Sequence, residues 1–189
     1  MKALLFPGQG SQFVGMGKEL YNNFDSVKKT FALVDQKLSF KISKIILEGP
    51  ESELKMTKNT QPAILTISCS IFNLMKDEFN IKFNDIKYFA GHSLGEYSAL
   101  VCSNSLDFLD AVYLLNERGK AMQEAVPEGT GSMLAVMGMN INDLERIHRK
   151  MTMGTLFPSA FTGMHRSYMN VMSILNNMVS DNNNISPIN

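Results

Sequence analysis

Ile86-Lys87-Tyr88-Phe89-Ala90, then Gly91-His92-Ser93-Leu94-Gly95-Glu96, then Tyr97-Ser98-Ala99-Leu100-Val101, is the stretch on which the fold turns. The first five residues read as a short strand, and the last run reads as helix. Between them stands Gly-x-Ser-x-Gly, the pattern of a serine lifted from a sheet on a sharp strand-to-helix turn. Side chains at Gly91 and Gly95 would collide with neighbouring backbone in such a turn, and glycine reaches backbone angles that cost other residues more. The turn leaves the Ser93 hydroxyl at the start of a helix, where free N–H groups and the helix dipole meet developing negative charge. Five residues match this pattern often by chance. The strand before and the helix after favour a nucleophile over a plain turn by about two to one.

Nearer the start, Lys2-Ala3-Leu4-Leu5-Phe6 reads as a buried strand that breaks into Pro7-Gly8-Gln9-Gly10-Ser11-Gln12. The glycines let a ligand approach the backbone, and Gln9 and Gln12 bring amide donors. An ordinary strand-to-helix loop fits the segment equally well. It lacks the Gly-Lys-Ser/Thr ending of a P-loop, which disfavours phosphate cradling.

Together these segments resemble the malonyl-CoA:acyl-carrier-protein transacylases. The match comprises Phe6-Pro7-Gly8-Gln9-Gly10-Ser11-Gln12, Asn59-Thr60-Gln61-Pro62-Ala63 and Gly91-His92-Ser93-Leu94-Gly95-Glu96-Tyr97-Ser98-Ala99-Leu100. It continues through Arg118-Gly119-Lys120-Ala121-Met122-Gln123-Glu124-Ala125-Val126-Pro127-Glu128-Gly129-Thr130-Gly131. Order and spacing agree over roughly residues 1–140. The resemblance implies an α/β fold, an α/β-hydrolase-like parallel sheet flanked by helices, with the start of a small ferredoxin-like subdomain. It also implies transfer of malonyl from coenzyme A to the phosphopantetheine thiol of acyl carrier protein, in fatty-acid synthesis. Malonyl-CoA and the carrier are then substrates, no cofactor or metal is bound, and the complete family member is a monomer.

On this resemblance Ser93 is the nucleophile, activated by a base and by stabilisation of the tetrahedral oxyanion. The backbone N–H groups of Gln9 and Leu94 are the implied oxyanion donors; Leu94 follows the nucleophile, as an elbow requires. Arg118 is the implied selectivity residue, because a guanidinium fork can hold the malonyl carboxylate with two hydrogen bonds. From the residues alone, Asn116-Glu117-Arg118-Gly119-Lys120 reads better as a solvated helix face. The base histidine falls outside the matching region: His92 reads as structural, His148 as solvated, and His165 lies in an atypical tail. Pro158-Ser159 is followed by Ala160, so the family's base is not assigned there.

Eighteen basic and eighteen acidic residues cancel, which argues against nucleic-acid or membrane binding driven by charge. Cys69 and Cys102 lack metal-ligand spacing and read as buried, reduced thiols of a cytoplasmic protein. No apolar run approaches the roughly 20 residues of a membrane span, and a strand beginning at Lys2 leaves no room for a leader.

Spacing predicts a helix over 18–38, carrying Leu20, Phe24, Val27, Phe31 and Val34. Ile42 to Leu47 is a short apolar segment. Asn59-Thr60-Gln61-Pro62 reads as a helix start, with cap candidates before a proline in the first turn. That helix runs to about Phe79 and should be buried, and another spans about Leu106 to Ala125. Residues 1–127 are thus read as the incomplete large subdomain and 128–150 as the start of the small one. In the latter, Met133 to Met137 reads as a strand and Asn142-Asp143-Leu144-Glu145 as a capped helix start. Residues 151–189 hold only Arg166 and Asp181 as charged side chains beside six methionines and seven asparagines, so no family motif continues there. A divergent, partly disordered tail accounts for this composition. So does a reading frame shifted near Lys150, since Met151-Thr152-Met153-Gly154 can be encoded so that the next frame reads Asn-Asp-Asn-Gly. Either way the chain is expected to be truncated, with an inactive remnant or a serine hydrolase as rival readings.

Overall fold

The computed structural model describes residues 2–125 together with Asn140, Asn142, Asp143 and Arg146. The chain divides into two units, Met1–Gly131 and Ser132–Asn189. In the first, β1 (Lys2–Phe6) is followed by helices α1 (Lys18–Asn23), α2 (Asp25–Leu38), α3 (Ile42–Glu48), α4 (Glu51–Lys55) and α5 (Thr57–Asp77), then β2 (Ile86–Gly91), α6 (Gly95–Cys102) and α7 (Phe108–Ala125). The strands pair in parallel, with Leu4 opposite Phe89 and Phe6 opposite Gly91. A parallel pair needs a long crossover, and the five helices α1–α5 supply it. Both strands form where the apolar runs predicted them, and the architecture is the expected α/β one.

The helix predicted over 18–38 is two helices. Phe24 between them is extended, at φ −127° and ψ 119°, and its ring meets Phe79 edge-on at 5.9 Å. An aromatic contact made outside the helical stripe thus interrupts the helix. Beyond the break the spacing holds: Val27, Phe31 and Val34 are all buried. The apolar segment after it is α3, held to α2 by the Asp35 carboxylate, which accepts from Ser43 N at 2.9 Å and Ser43 Oγ at 2.6 Å.

Helix α5 starts at Thr57, before the predicted cap residues, so Pro62 sits inside it rather than in its first turn. Asn59 and Thr60 do not cap α5. They reach back to α4, Asn59 Nδ2 donating to Glu53 O at 2.9 Å and Thr60 Oγ1 to Leu54 O at 2.5 Å. Leu54 O is one of the carbonyls that a helix end leaves without a helical donor, whereas Glu53 O also accepts from Met56 N at 3.2 Å. The side chains of Asn59 and Thr60 thus close the preceding helix. The predicted burial of α5 is met at Ala63, Ile64, Leu65, Cys69 and Leu74, whereas Ile71 remains exposed.

Helix α7 is capped by Asp107, whose Oδ1 accepts from Leu109 N at 2.8 Å and Asp110 N at 3.1 Å. It packs on α5, while α6 packs on both strands. Cys69 and Cys102 are free and buried, as expected; the neighbouring Cys102 thiol and burial push the Cys69 thiol well above its ordinary range. No helix among the described residues is long and apolar enough to cross a membrane.

In the second unit Asn142, Asp143 and Arg146 are helical. The cap is Asn140, two residues before the predicted one: its Oδ1 accepts from Asp143 N at 3.0 Å while its Nδ2 donates to Asp143 Oδ2 at 2.5 Å. The acidic partner of this cap, three residues on, is Asp143. The strand predicted at 133–137, the breaker cluster at 127–131, His148, and the tail with Pro158, Ser159 and His165 lie outside the described residues.

Candidate active site

The site is built where β1 and β2 end side by side. After Gly91 the chain turns through Ser93, which takes a left-handed φ of 56°, a conformation non-glycine residues adopt uncommonly and at a cost. A side chain at Gly91 would drive into the Gly95 carbonyl, and one at Gly95 would lie 2.5 Å from Phe6 O and 2.7 Å from Pro7 O. The predicted collisions are therefore present, from two sources. Gly91 makes room for the first turn of α6, and Gly95 for the end of β1.

The second clearance brings the glutamine loop to the elbow. His92 N donates to Phe6 O at 3.2 Å, and a side chain at Gly8 would lie 2.8 Å from His92 O. Among the described residues, neither Gln9 N nor Leu94 N donates to another protein group. Gln9 is exposed, whereas Leu94 is fully buried at the head of α6. Of the two glutamine side chains expected as amide donors, Gln12 instead accepts, its Oε1 taking Gly10 N–H at 2.8 Å to brace the loop. Gln9 Nε2 makes only a 3.5 Å contact with Thr57 Oγ1.

Arg118, on α7, spans the gap to the serine. Its Nη2 donates to Ser93 Oγ at 3.2 Å, and its Nη1 donates to Gln61 Oε1 at 2.7 Å. It is half-buried rather than on a solvated face. Among the described residues no carboxylate pairs with it, since Glu117 bonds Lys120 instead at 2.7 Å. A guanidinium has five donors, so the fork keeps capacity for an incoming anion.

Gln61 is the site residue that sequence reading missed. It is fully buried on α5, and its Nε2 faces Met122 Sδ at 3.3 Å. The signal was available: a buried amide requires partners, and this one stands just before the apolar run that begins at Ala63. His92, the only histidine among the described residues, is exposed and its ring stands over Gly8. No hydrogen bond joins it to Ser93 among those residues. The elbow, the loop and the arginine therefore converge, and no base does so within the described part.

Residues 3–156 match the family described as the acyl transferase domain. The chain is 47% identical over 150 residues to the malonyl CoA-acyl carrier protein transacylase of Bacillus subtilis (strain 168), a span of 79% of this chain and 46% of that protein. The crystal structure of an acyl-carrier-protein-S-malonyltransferase from Bartonella henselae matches with a TM-score of 0.76 at 42% identity, over 82% of this chain and 50% of that one. A malonyl-transacylase solved in complex with its type II PKS acyl-carrier protein matches with a TM-score of 0.75 at 43% identity, over 82% and 49%. The chain spans about half the length of these relatives. With the elbow, the loop and the arginine held in one place and the family match running through all three, the chain belongs to the acyl transferase domain family.

Proposed function

We propose that this chain moves a malonyl group from coenzyme A to the phosphopantetheine thiol of acyl carrier protein through a malonyl ester on Ser93. The observation that carries the reading is the Arg118 guanidinium 3.2 Å from Ser93 Oγ with no carboxylate partner among the described residues. A serine beside an unneutralised guanidinium suits an acyl group that ends in a carboxylate. In the first half-reaction Ser93 Oγ attacks the thioester carbonyl, the C–S bond breaks, and coenzyme A leaves with the serine's proton. In the second, the carrier thiol attacks the ester and Ser93 regains a proton. The backbone N–H groups of Gln9 and Leu94 would face the oxyanion in both steps, where preorganised donors contribute most. Arg118 exchanges its bond to the hydroxyl for the malonyl carboxylate. Neither metal nor bound cofactor enters this cycle, and the setting is cytoplasmic. The carrier as partner is supported by the relative solved in complex with one.

The test is incubation with malonyl-CoA, acid quench and peptide mass analysis. The expected label lies on the peptide containing Ser93, disappears in Ser93→Ala, and is released by the holo carrier faster than by water. Label that persists in Ser93→Ala removes the nucleophile, and release to water alone makes the chain a hydrolase. A second reading, an inactive remnant, is favoured because no histidine is hydrogen-bonded to Ser93 among the described residues. It predicts labelling slower than in a complete relative by roughly 10²–10⁴, the usual contribution of a general base.

A further inference from the structure

Pro62 sits on the sixth position of α5 and has no N–H. The carbonyl four residues earlier, Lys58 O, therefore has no helical donor. Asn116 Nδ2, from α7, supplies one at 2.9 Å. The other backbone group of Lys58 is an orphan amide of the first helical turn, and it donates to Gln123 Oε1, also on α7, at 3.1 Å. Between these anchors lies Gly119, where a side chain would stand 2.5 Å from Lys58 Cα and 2.7 Å from Thr57 O. Asn116, Gly119 and Gln123 follow helical spacing on one face of α7, so they grip a single residue of α5 along and across the helix axis.

Arg118 stands on the flank of that face. Both its partners lie off α7: Gln61 one turn beyond Lys58, and Ser93 at the elbow. A slide or roll of α7 on α5 would move the guanidinium relative to the serine. Gln123 is less buried than Asn116, which is 4% exposed, so the amide of Asn116 is the inner of the two anchors.

We propose that Asn116 is a positioning residue: by bonding the carbonyl that Pro62 releases, it sets the register of α7 on α5 and hence the reach of Arg118 to the acyl group on Ser93. The inference rests on the carboxylate-binding reading of Arg118. Its consequence is that acyl selectivity depends on a side chain that touches neither substrate nor nucleophile.

The test uses the full chain and compares Ser93 labelling by malonyl-CoA and by acetyl-CoA, with melting curves, in the parent, Asn116→Leu, Pro62→Ala and the double variant. Asn116→Leu is expected to lower the malonyl-to-acetyl ratio about tenfold, the lower end of what a hydrogen bond to a charged group contributes, chiefly through KM for malonyl-CoA. It should also melt earlier, because Lys58 O is left without a donor. Adding Pro62→Ala restores a helical N–H to that carbonyl. The double variant should therefore regain the melting temperature but not the selectivity. If the ratio returns together with the melting temperature, Asn116 merely satisfies a carbonyl and the proposal is overturned. A labelled parent whose ratio is unmoved by Asn116→Leu overturns it as well. A parent that malonyl-CoA does not label at Ser93 defeats the acyl-transfer reading itself, and this inference with it.

Discussion

Arg118 shows how one side chain can be ambiguous in sequence and specific in space. Its neighbours Glu117 and Lys120 pair with each other, so the local charge pattern that suggested a solvated face is satisfied without it. The guanidinium turns inward to Gln61 and Ser93. Malonyl and acetyl differ by one carboxylate, and hydrogen bonds to charged groups contribute roughly 1.5–3 kcal/mol, about ten- to a hundredfold. Arg118→Ala is expected to slow Ser93 labelling by malonyl-CoA by that factor while barely slowing labelling by acetyl-CoA. Arg118→Lys should recover only part, since an ammonium lacks the planar fork. Equal losses on both substrates, measured as initial labelling rates, would assign Arg118 to the fold or to the coenzyme. The sharp turn at Ser93 and its two glycines was legible because it follows from local sterics. Gln61 was not, because its partner is 57 residues away.

At the scale of elements, the α5–α7 contact carries the site. It is close because α7 presents Gly119 to the backbone of Thr57 and Lys58. An added methyl there meets main chain rather than a flexible side chain, so the helices must separate. Gly119→Ala gains up to about 1 kcal/mol of helix propensity, but forcing atoms into a packed contact costs roughly 1–3 kcal/mol. The expected result is a lower melting temperature together with a lower malonyl-to-acetyl labelling ratio. A higher melting temperature with unchanged selectivity would show that the contact tolerates the methyl. The bounds of α5 and α7 followed from periodicity to within a few residues. The break at Phe24 and the reversed duties of Asn59 and Thr60 did not, because each depends on what a neighbouring element offers: Phe79 for the ring, the α4 carbonyls for the side chains.

For the molecule as a whole, the sheet has two strands among the described residues, and a pair of strands is marginal without further cover. Leu5, Phe13 and Phe79 are 60%, 63% and 58% exposed. Exposed apolar groups of this size favour association, as do strand edges that no further strand covers among the described residues. The chain is therefore expected to self-associate with rising concentration and to bind a hydrophobic dye, as light scattering and dye fluorescence would report. A concentration-independent monomer with a sharp cooperative melt would refute this. The sequence by itself determined both strands, the elbow and the position of its serine, since sterics and short-range periodicity act over a few residues. Only the tertiary structure decided that Arg118 faces Ser93, that Gln61 holds it, and that Asn116 takes the carbonyl Pro62 leaves free. Those bonds join helices distant in the chain, and a hydrogen bond of that kind exists only once packing has brought donor and acceptor within about 3 Å.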